Sequence, residues 1–258
     1  MACINYPSPV FGPIHSRRLG TSLGINLLPQ GGKICSFDCI YCECGFNADN
    51  RGNTKLPTRE EVRTKLENKL KKLQEEGVTP DVFTFAGNGE PTSHPQFEEI
   101  VDDVRALRDK YFPNAKISVL SNSTHINRPS VFRALHKVDN NILKLDTVDP
   151  KFIHLVDRPT SKYDVEKIIQ GLTDFQGRLI IQTMFLTGDF DGHHIDNTTE
   201  EYVGPWIEQL KKIQPHEVMI YTIDRETPAK GLQKVSPEKL NSIRDRLIKE
   251  GFTVQVAY

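Results

Sequence analysis

The chain has 258 residues, of which 37% are hydrophobic and 26% are charged, and its formal net charge is -1. This size and composition predict one large folded domain with a substantial core and argue against disorder over most of the chain. A near-neutral charge excludes the global positive field that draws a protein onto nucleic acid, although a local basic patch stays open. No stretch approaches the roughly 20 apolar residues of a membrane span, and the first residues lack a signal-peptide pattern, so we expect a cytoplasmic protein.

In chain order, residues 1–22 are expected to form an N-terminal extension and residues 23–57 a first strand with a cysteine-rich loop. Over residues 58–258, short β-branched apolar runs alternate with longer segments that have the apolar spacing of a helix. The predicted strands are Leu23–Leu28, Val82–Ala86, Lys116–Ser121, Ile142–Asp146, Leu179–Phe185 and Glu217–Thr222, with Phe252–Val256 as a candidate last strand. The predicted helices are Thr58–Glu76, Pro95–Tyr111, Pro129–His136, Tyr163–Phe175, Thr199–Ile213 and Pro237–Glu250.

This alternation indicates an α/β fold with a parallel sheet, because continuous apolar strands need both of their faces covered. Right-handed crossovers then produce either an open doubly wound sheet or a barrel, complete or partial. In either case the functional side chains gather at the carboxyl ends of the strands. Polar groups do follow the apolar runs: they are Gly87–Glu90, Ser121–Thr124, Asp146–Thr147, Thr187–Asp189 and Asp224–Arg225.

The cysteine loop carries the strongest chemical signal. Cys35, Cys39 and Cys42 stand within eight residues, close enough for one loop to surround a compact metal centre. All five cysteines fall in the first 44 residues, which is unlike a disulfide framework and indicates metal binding in a reducing compartment. Three ligands leave one coordination position open, as in an iron–sulfur cluster with one unligated iron. The alternative is a structural zinc site closed by Cys44 or His15.

The spacing C-x3-C-x2-C, with Tyr41 just before the last cysteine, resembles the signature of the radical S-adenosylmethionine (SAM) superfamily. The segment Asn88–Thr92 is similar to the GGEP motif of that family, with Asn88 in place of the first glycine. Gly87 and Gly89 would allow close backbone approach to a ligand.

The resemblance extends over most of the chain. Ser16–Gly20, Ser22–Pro29, Lys144–Asp146 and Tyr221–Arg225 resemble the branch of wyosine-related iron–sulfur oxidoreductases. It implies a single-domain partial (β/α)6-type TIM barrel.

The resemblance also implies the cofactors, a 4Fe-4S cluster on Cys35, Cys39 and Cys42 and SAM at the open iron. An electron from the reduced cluster would cleave SAM, and the 5′-deoxyadenosyl radical would abstract hydrogen from a substrate. An electron donor such as flavodoxin or ferredoxin is implied as a partner. The residues implied to contact SAM are Tyr41 at the adenine, Gly89 and Glu90 at the methionine amino group, and Asn122, Asp146 and Gln182 at the ribose or carboxylate.

For the substrate, we expect a small polar or anionic molecule or a peptide rather than nucleic acid, because the charges balance and no further cysteine group follows residue 44. Guanidinium groups suit planar anions, which makes Arg17, Arg18 and Arg225 candidate substrate contacts. The alternatives are a tRNA-modifying enzyme of the wyosine type, a glycyl-radical activase with a partner protein, and a non-catalytic zinc or iron–sulfur module.

Other chemically suggestive residues have more than one interpretation. His193 and His194 are expected in a polar loop after the fifth strand, over the substrate mouth or in solvent, with a second metal site as the alternative. Lys144 and Asp146 share one side of a strand, so they either face the site or form an interior ion pair. Cys3 and Cys44 are thiols outside the motif, for packing or for hydrogen-atom donation.

Overall fold

The structure is a computed structural model, which describes residues 4–50, 52 and 54–258, so Cys3 lies outside the described residues. The strands are β1 (Val10–Ser16), β2 (Gly20–Ile25), β3 (Val82–Phe85), β4 (Lys116–Ser121), β5 (Asn140–Lys144), β6 (Ile180–Phe190), β7 (His193–Asp196), β8 (Glu217–Thr222), β9 (Leu232–Lys234) and β10 (Val254–Ala257). The helices are α1 (Arg59–Glu75), α2 (Phe97–Tyr111), α3 (Pro129–Leu135), α4 (Pro150–Phe152), α5 (Val165–Thr173), α6 (Glu200–Ile213) and α7 (Pro237–Lys249), and a π-helical turn (Ile153–Asp157) continues α4.

The sheet is a half-barrel. Within the described ranges, β2, β3, β4, β5, β6, β8 and β10 pair in parallel in that order, and β1 joins β2 antiparallel at one edge. Helices connect successive parallel strands and cover the outer face. This arrangement confirms the α/β fold and the partial barrel.

The helices begin where their capping signals predict. The Thr58 hydroxyl accepts a hydrogen bond from the Glu61 main-chain N–H, and the Glu61 carboxylate accepts one from Thr58 N, which completes a capping box. The Ser236 hydroxyl caps α7 by accepting a hydrogen bond from Lys239 N, just ahead of Pro237 in the first turn. One apolar stripe of α1 packs against the sheet and is fully buried, namely Val62, Leu66, Leu70 and Leu73.

The N-terminal extension contains structure that the sequence analysis missed. Residues 10–16 form β1, and β2 begins at Gly20 and ends at Ile25, earlier than the predicted 23–28. Gly12 and Pro13 interrupt the strand pattern of β1, and the pairing with β2 is irregular between Phe11 and Ile14. Such residues are tolerated because β1 is an edge strand.

The prediction of a polar loop around His193 and His194 was wrong. β6 continues to Phe190, and β7 folds back on it antiparallel, while β9 pairs with the same extended strand. Both histidines are exposed, so this short hairpin lacks the apolar alternation that identifies a strand in sequence.

The turn between β1 and β2 reaches across the open side of the half-barrel. The Arg18 carbonyl accepts a hydrogen bond of 3.1 Å from Gln255 Nε2 on β10. Leu19 packs against the interior cluster of Ile142, Ile180 and Met219. This turn therefore separates an upper cavity from a lower opening at the amino ends of the strands, since Arg18 and Leu19 line both.

Candidate active site

The cysteine loop lies across the carboxyl ends of β3 and β5. On one side Glu90 N donates to the Ile34 carbonyl at 3.0 Å, and Ile34 N donates to the Asn88 carbonyl at 3.1 Å. On the other side Ile40 N donates to the carbonyl of Val156 at 2.9 Å, in the π-helical turn. Main-chain hydrogen bonds on both flanks fix the loop that carries the three thiols.

Gly89 is needed for this docking. Its φ is +128°, and a Cβ at this position would lie 1.9 Å from the Ile34 carbonyl oxygen. Gly87 has φ +145°, and a Cβ there would lie 2.4 Å from the Asn26 side-chain oxygen. Both glycines thus permit close approach of other parts of the chain, a requirement that the sequence did not indicate.

The departure from the GG pattern at Asn88 has a structural cause. The Asn88 side chain is buried; its Nδ2 donates to the Tyr6 and Pro29 carbonyls at 2.9 and 3.0 Å, and its Oδ1 accepts from Tyr6 N at 2.9 Å. An amide both donates and accepts, so this residue pairs with both main-chain groups of Tyr6. Asn88 therefore attaches the N-terminal segment to the motif.

The Glu90 carboxylate is buried and serves four donors in the described part of the chain. Its Oε1 accepts from Thr92 N at 3.0 Å, from the Thr92 hydroxyl and from Ser121 Oγ at 2.9 Å, while Oε2 accepts from Asn122 N at 2.7 Å. Burial raises the pKa of Glu90, against these hydrogen bonds. A carboxylate has about four acceptor sites, so the predicted contact with the SAM amino group competes with internal partners.

Asn122 connects Glu90 to the cysteine loop. Its Nδ2 donates to Ser36 Oγ at 2.9 Å and lies 3.6 Å from Cys35 Sγ. Its side-chain oxygen accepts from Thr124 N at 3.1 Å, which fixes the amide orientation. The amide N–H therefore points at the first thiol of the motif.

A buried charged network stands beside the second thiol. Lys144 Nζ lies 2.6 Å from Asp146 Oδ2, 2.7 Å from Asp157 Oδ1 and 3.7 Å from Cys39 Sγ. The Tyr41 hydroxyl contacts both Lys144 and Asp146. Lys144 and Asp146 form the interior ion pair that strand alternation allowed. Burial lowers the pKa of Lys144, but Asp146 and Asp157 outweigh burial and hold it well above its usual value.

Sequence reasoning missed Asp157 and Lys33. Asp157 ends the π-helical turn, a single turn with no periodicity to detect, and burial raises its pKa. Lys33 is only 8% exposed, and its Nζ donates to the Gly45 carbonyl at 2.5 Å. The residue directly follows two glycines, which indicate only a turn.

The thiols have different electrostatic environments. A hydrogen bond from Cys44, assisted by Lys33, lowers the pKa of Cys42 to about 6 against the effect of burial. Burial raises the pKa of Cys35 to about 12 and also raises that of Cys39. Cys44 Sγ itself lies 3.4 Å from the Gly87 carbonyl oxygen.

The three motif thiols fit an iron–sulfur cluster in their donor chemistry. Cysteine must be a thiolate to bind metal, and N–H groups or cations beside sulfur stabilise that form. Asn122 Nδ2 stands near Cys35 and the Lys144 ammonium near Cys39. In the described ranges no three His, Cys, Asp or Glu side chains are grouped around the position of one ion. A cluster does not require such a group, because each thiolate binds a different iron.

A cavity of about 370 Å³ lies inside the half-barrel below the cysteine loop, and Tyr41 and Cys42 are among the residues that line it. Gln182 faces it with a side-chain nitrogen that has no hydrogen-bond partner among the described residues. On the adjacent strand β8, Tyr221 also lines the cavity, and burial raises the pKa of its hydroxyl to about 12. The inward residues of five parallel strands thus enclose a space of ligand size.

The structure separates the three candidate arginines. Arg17 Nε lies 3.5 Å from Asp224 Oδ2, and Arg225 Nη1 lies 2.5 Å from Glu43 Oε2, both at the rim of the cavity. Arg18 turns inward, with its guanidinium 4.4 Å from the centroid of the Tyr221 ring.

The histidine pair lies in the β6–β7 hairpin, and neither histidine lines the cavity. His194 Nδ1 lies 3.0 Å from Asp189 Oδ1, and both side chains are exposed.

Comparison with known proteins agrees with this geometry. The radical SAM superfamily matches residues 30–201 of the chain. Solved structures with the same fold include a radical SAM methyltransferase from Sphaerobacter thermophilus (TM-score 0.67, 16% identity, 92% of this chain and 66% of that one). Another is SuiB from Streptococcus suis bound to S-adenosylmethionine (TM-score 0.65, 14% identity, 91% of this chain and 50% of that one). The chain therefore spans less than two thirds of either protein.

The chain belongs to the radical SAM superfamily, whose members are enzymes that use a 4Fe-4S cluster and SAM and generally need an electron donor. Within it, the chain is similar to the UPF0026 proteins. The one from Helicobacter pylori strain J99 is 33% identical over 261 residues, which cover 99% of this chain and 78% of that protein. None of the described helices is both long and apolar enough to cross a membrane.

Proposed function

We propose that this chain is a radical SAM enzyme that binds one 4Fe-4S cluster through Cys35, Cys39 and Cys42. The observation that carries the proposal is the cysteine loop, with three thiols at the carboxyl ends of parallel strands, nitrogen donors beside them and a cavity below. Three thiolates leave one iron of such a cluster without a protein ligand, and that position is available to SAM.

With both cofactors bound, the site would supply the chemistry of reductive SAM cleavage and hydrogen-atom abstraction from a substrate. The chain's own residues position the parts. Glu90 fixes Asn122, and Asn122 orients its amide toward Cys35. Lys144 holds its charge beside Cys39 between two carboxylates.

The residues that we propose to surround SAM are Tyr41, Gly89, Glu90, Asn122, Asp146 and Gln182. Their contributions differ. Gln182 has an unpartnered amide nitrogen at the cavity and can donate to an oxygen of SAM. The carboxylates of Glu90 and Asp146 accept hydrogen bonds from other protein groups, so these two residues hold the neighbouring parts of the site in position.

The proposed substrate is a small polar or anionic molecule. We propose that a reduced donor protein, such as flavodoxin or ferredoxin, supplies the electron for the reaction. A cavity of about 370 Å³ is near the lower end of the range for small-molecule sites. The chain has 33 basic and 34 acidic residues, a balance that does not favour a large polyanion.

Anaerobic purification tests the cofactor assignment. A brown protein with about three to four irons per chain is expected, and a colourless protein with one zinc contradicts the proposal. The reduced protein is then incubated with SAM, with and without cell extract. We expect 5′-deoxyadenosine by mass spectrometry, and a new product mass with extract identifies the substrate.

A further inference from the structure

Arg18 is the one cation at the cavity whose charge is not neutralised within the described residues. The charged side chains that line the cavity are Arg17, Arg18, Arg225, Glu43 and Asp224. Arg17 pairs with Asp224, and Arg225 pairs with Glu43. Two carboxylates thus neutralise two of three guanidinium groups, and one positive charge remains.

The Arg18 side chain is held in place by contacts that leave its hydrogen-bond donors available. Its guanidinium stacks over the Tyr221 ring at 4.4 Å, and its main-chain carbonyl is held by Gln255. Its Nη1 is buried and has no partner among the described residues. A buried polar group without a partner is costly, so such a group in a native protein calls for an explanation. One such explanation is a bound ligand that supplies the missing hydrogen-bond acceptor.

From these observations we infer that Arg18 binds the carboxylate of a small monocarboxylic acid, the substrate of the enzyme. This inference rests on the proposed function and specifies its substrate class. The guanidinium fork matches a planar carboxylate. Among the protein side chains that line the cavity, one surplus positive charge balances a monoanion, whereas a phosphate monoester carries about −1.5 to −2 at neutral pH and needs a second cation that the described lining does not supply.

The position of Arg18 also orients the acid. Arg18 lines the lower opening as well as the cavity, so it lies at the end of the cavity away from the cysteine loop. The cavity walls include Leu120 and Met184, which suit an aliphatic carbon skeleton. The carboxylate thus binds at the floor, and the carbon that reacts lies toward the cysteine loop.

The test uses anaerobically reconstituted holoenzyme with SAM and measures binding by calorimetry. The probes are the straight-chain acids from propanoate to hexanoate, the primary amides of the same lengths, and pentyl phosphate. We expect at least one acid to bind about ten times more tightly than its amide and than pentyl phosphate, since a charge-assisted hydrogen bond typically contributes that much. Acids that fail to bind at tens of millimolar, or pentyl phosphate that binds as well as the best acid, would overturn the inference.

Variants assign the effect to one arginine. Arg18→Gln should weaken the best acid about tenfold or more while changing its amide less than about twofold. Arg63→Gln, a matched change at an exposed arginine of α1 that does not line the cavity, should keep the affinity for the acid. Arg18→Lys retains the charge without the fork, so it should bind the acid with intermediate affinity and provides the test if Arg18→Gln does not fold. Unchanged acid affinity in both Arg18 variants refutes the inference.

Iron content and SAM affinity of the same preparations report separately on the proposed function. Loss of SAM affinity in Arg18→Gln would place the guanidinium at the cofactor and overturn the substrate assignment. A protein that lacks iron yet binds acids through Arg18 would refute the radical SAM assignment and keep the anion site. A protein that binds iron and SAM but has no affinity for acids would refute the anion site at Arg18 and keep the radical SAM assignment.

Discussion

Glu90 provides a sharp test of how the site is built, because its two proposed roles have different consequences. If Glu90 contacts SAM directly, its removal will lower SAM affinity and leave the apoprotein stable. If Glu90 instead holds the fold together through the hydrogen bonds seen in the structure, its removal will destabilise the protein even without cofactors. The carboxylate accepts hydrogen bonds from Thr92, Ser121 and Asn122, and two of the donors are main-chain N–H groups.

The magnitude follows from those two N–H groups. In Glu90→Ala neither keeps an acceptor in a buried site, while the two hydroxyl donors can rotate toward other partners. Each unsatisfied buried group costs about 1–3 kcal/mol, so we expect a loss of about 2–6 kcal/mol in unfolding free energy. Relief from burying the carboxylate offsets part of this, which favours the lower half of the range. In Glu90→Gln one oxygen remains and the new NH2 opposes one donor, so about 1–3 kcal/mol is expected.

Urea unfolding of metal-free protein measures this loss, with Glu99→Ala as the control. Glu99 is exposed on α2, and surface changes of this kind usually alter stability by less than about 0.5 kcal/mol. The order of loss should be Glu90→Ala, then Glu90→Gln, then Glu99→Ala. An apoprotein that keeps its full stability in Glu90→Ala but loses SAM affinity would refute the internal role and restore the direct contact.

Three further outcomes are expected. Cys39→Ala should abolish stable cluster binding, whereas Cys44→Ala should leave iron content nearly unchanged; wild-type iron in the first variant, measured colorimetrically, would contradict the ligand set. Hydrogen bonds from Tyr111 and Lys110 lower the pKa of Glu67 to about 2, so stability from this group is present above its unfolded pKa and is lost as the pH falls from about 4.5 toward 2. The drop in thermal midpoint between about pH 5 and pH 3 should therefore be smaller in Glu67→Gln than in wild type, and an equal drop argues against the linkage. Filter binding to tRNA at physiological salt should be weak and sequence-blind, and sub-micromolar binding with a modified tRNA as product would instead support the wyosine-like function.

The sequence by itself determined the order and type of most elements. Apolar periodicity is a local property, so the parallel strands and their helices could be located from runs of a few residues. β4 and β8 have the predicted bounds, Lys116–Ser121 and Glu217–Thr222. The capping box at Thr58 is also local, because its partners are three residues apart. The cysteine spacing and the motif at Asn88–Thr92 indicated the superfamily for the same reason.

Only the tertiary structure decided what the polar residues of the site contact. Asn88 binds Tyr6 across 82 positions of sequence, and Cys39 lies near Asp157 across 118. Such pairings depend on where the strands place the loops that connect them, and no local sequence pattern encodes them. The same holds for Gly89, whose need for glycine comes from the carbonyl of Ile34.

The three candidate arginines show the limit most clearly. In sequence Arg17 and Arg18 are adjacent and chemically identical, and Arg225 lies more than 200 positions away. The turn between β1 and β2 directs Arg17 to Asp224 at the rim and Arg18 to Tyr221 inside the half-barrel. Whether a guanidinium is neutralised or available depends on which carboxylates the fold brings within a few ångströms, because Coulomb attraction and hydrogen bonding act through space and not along the chain.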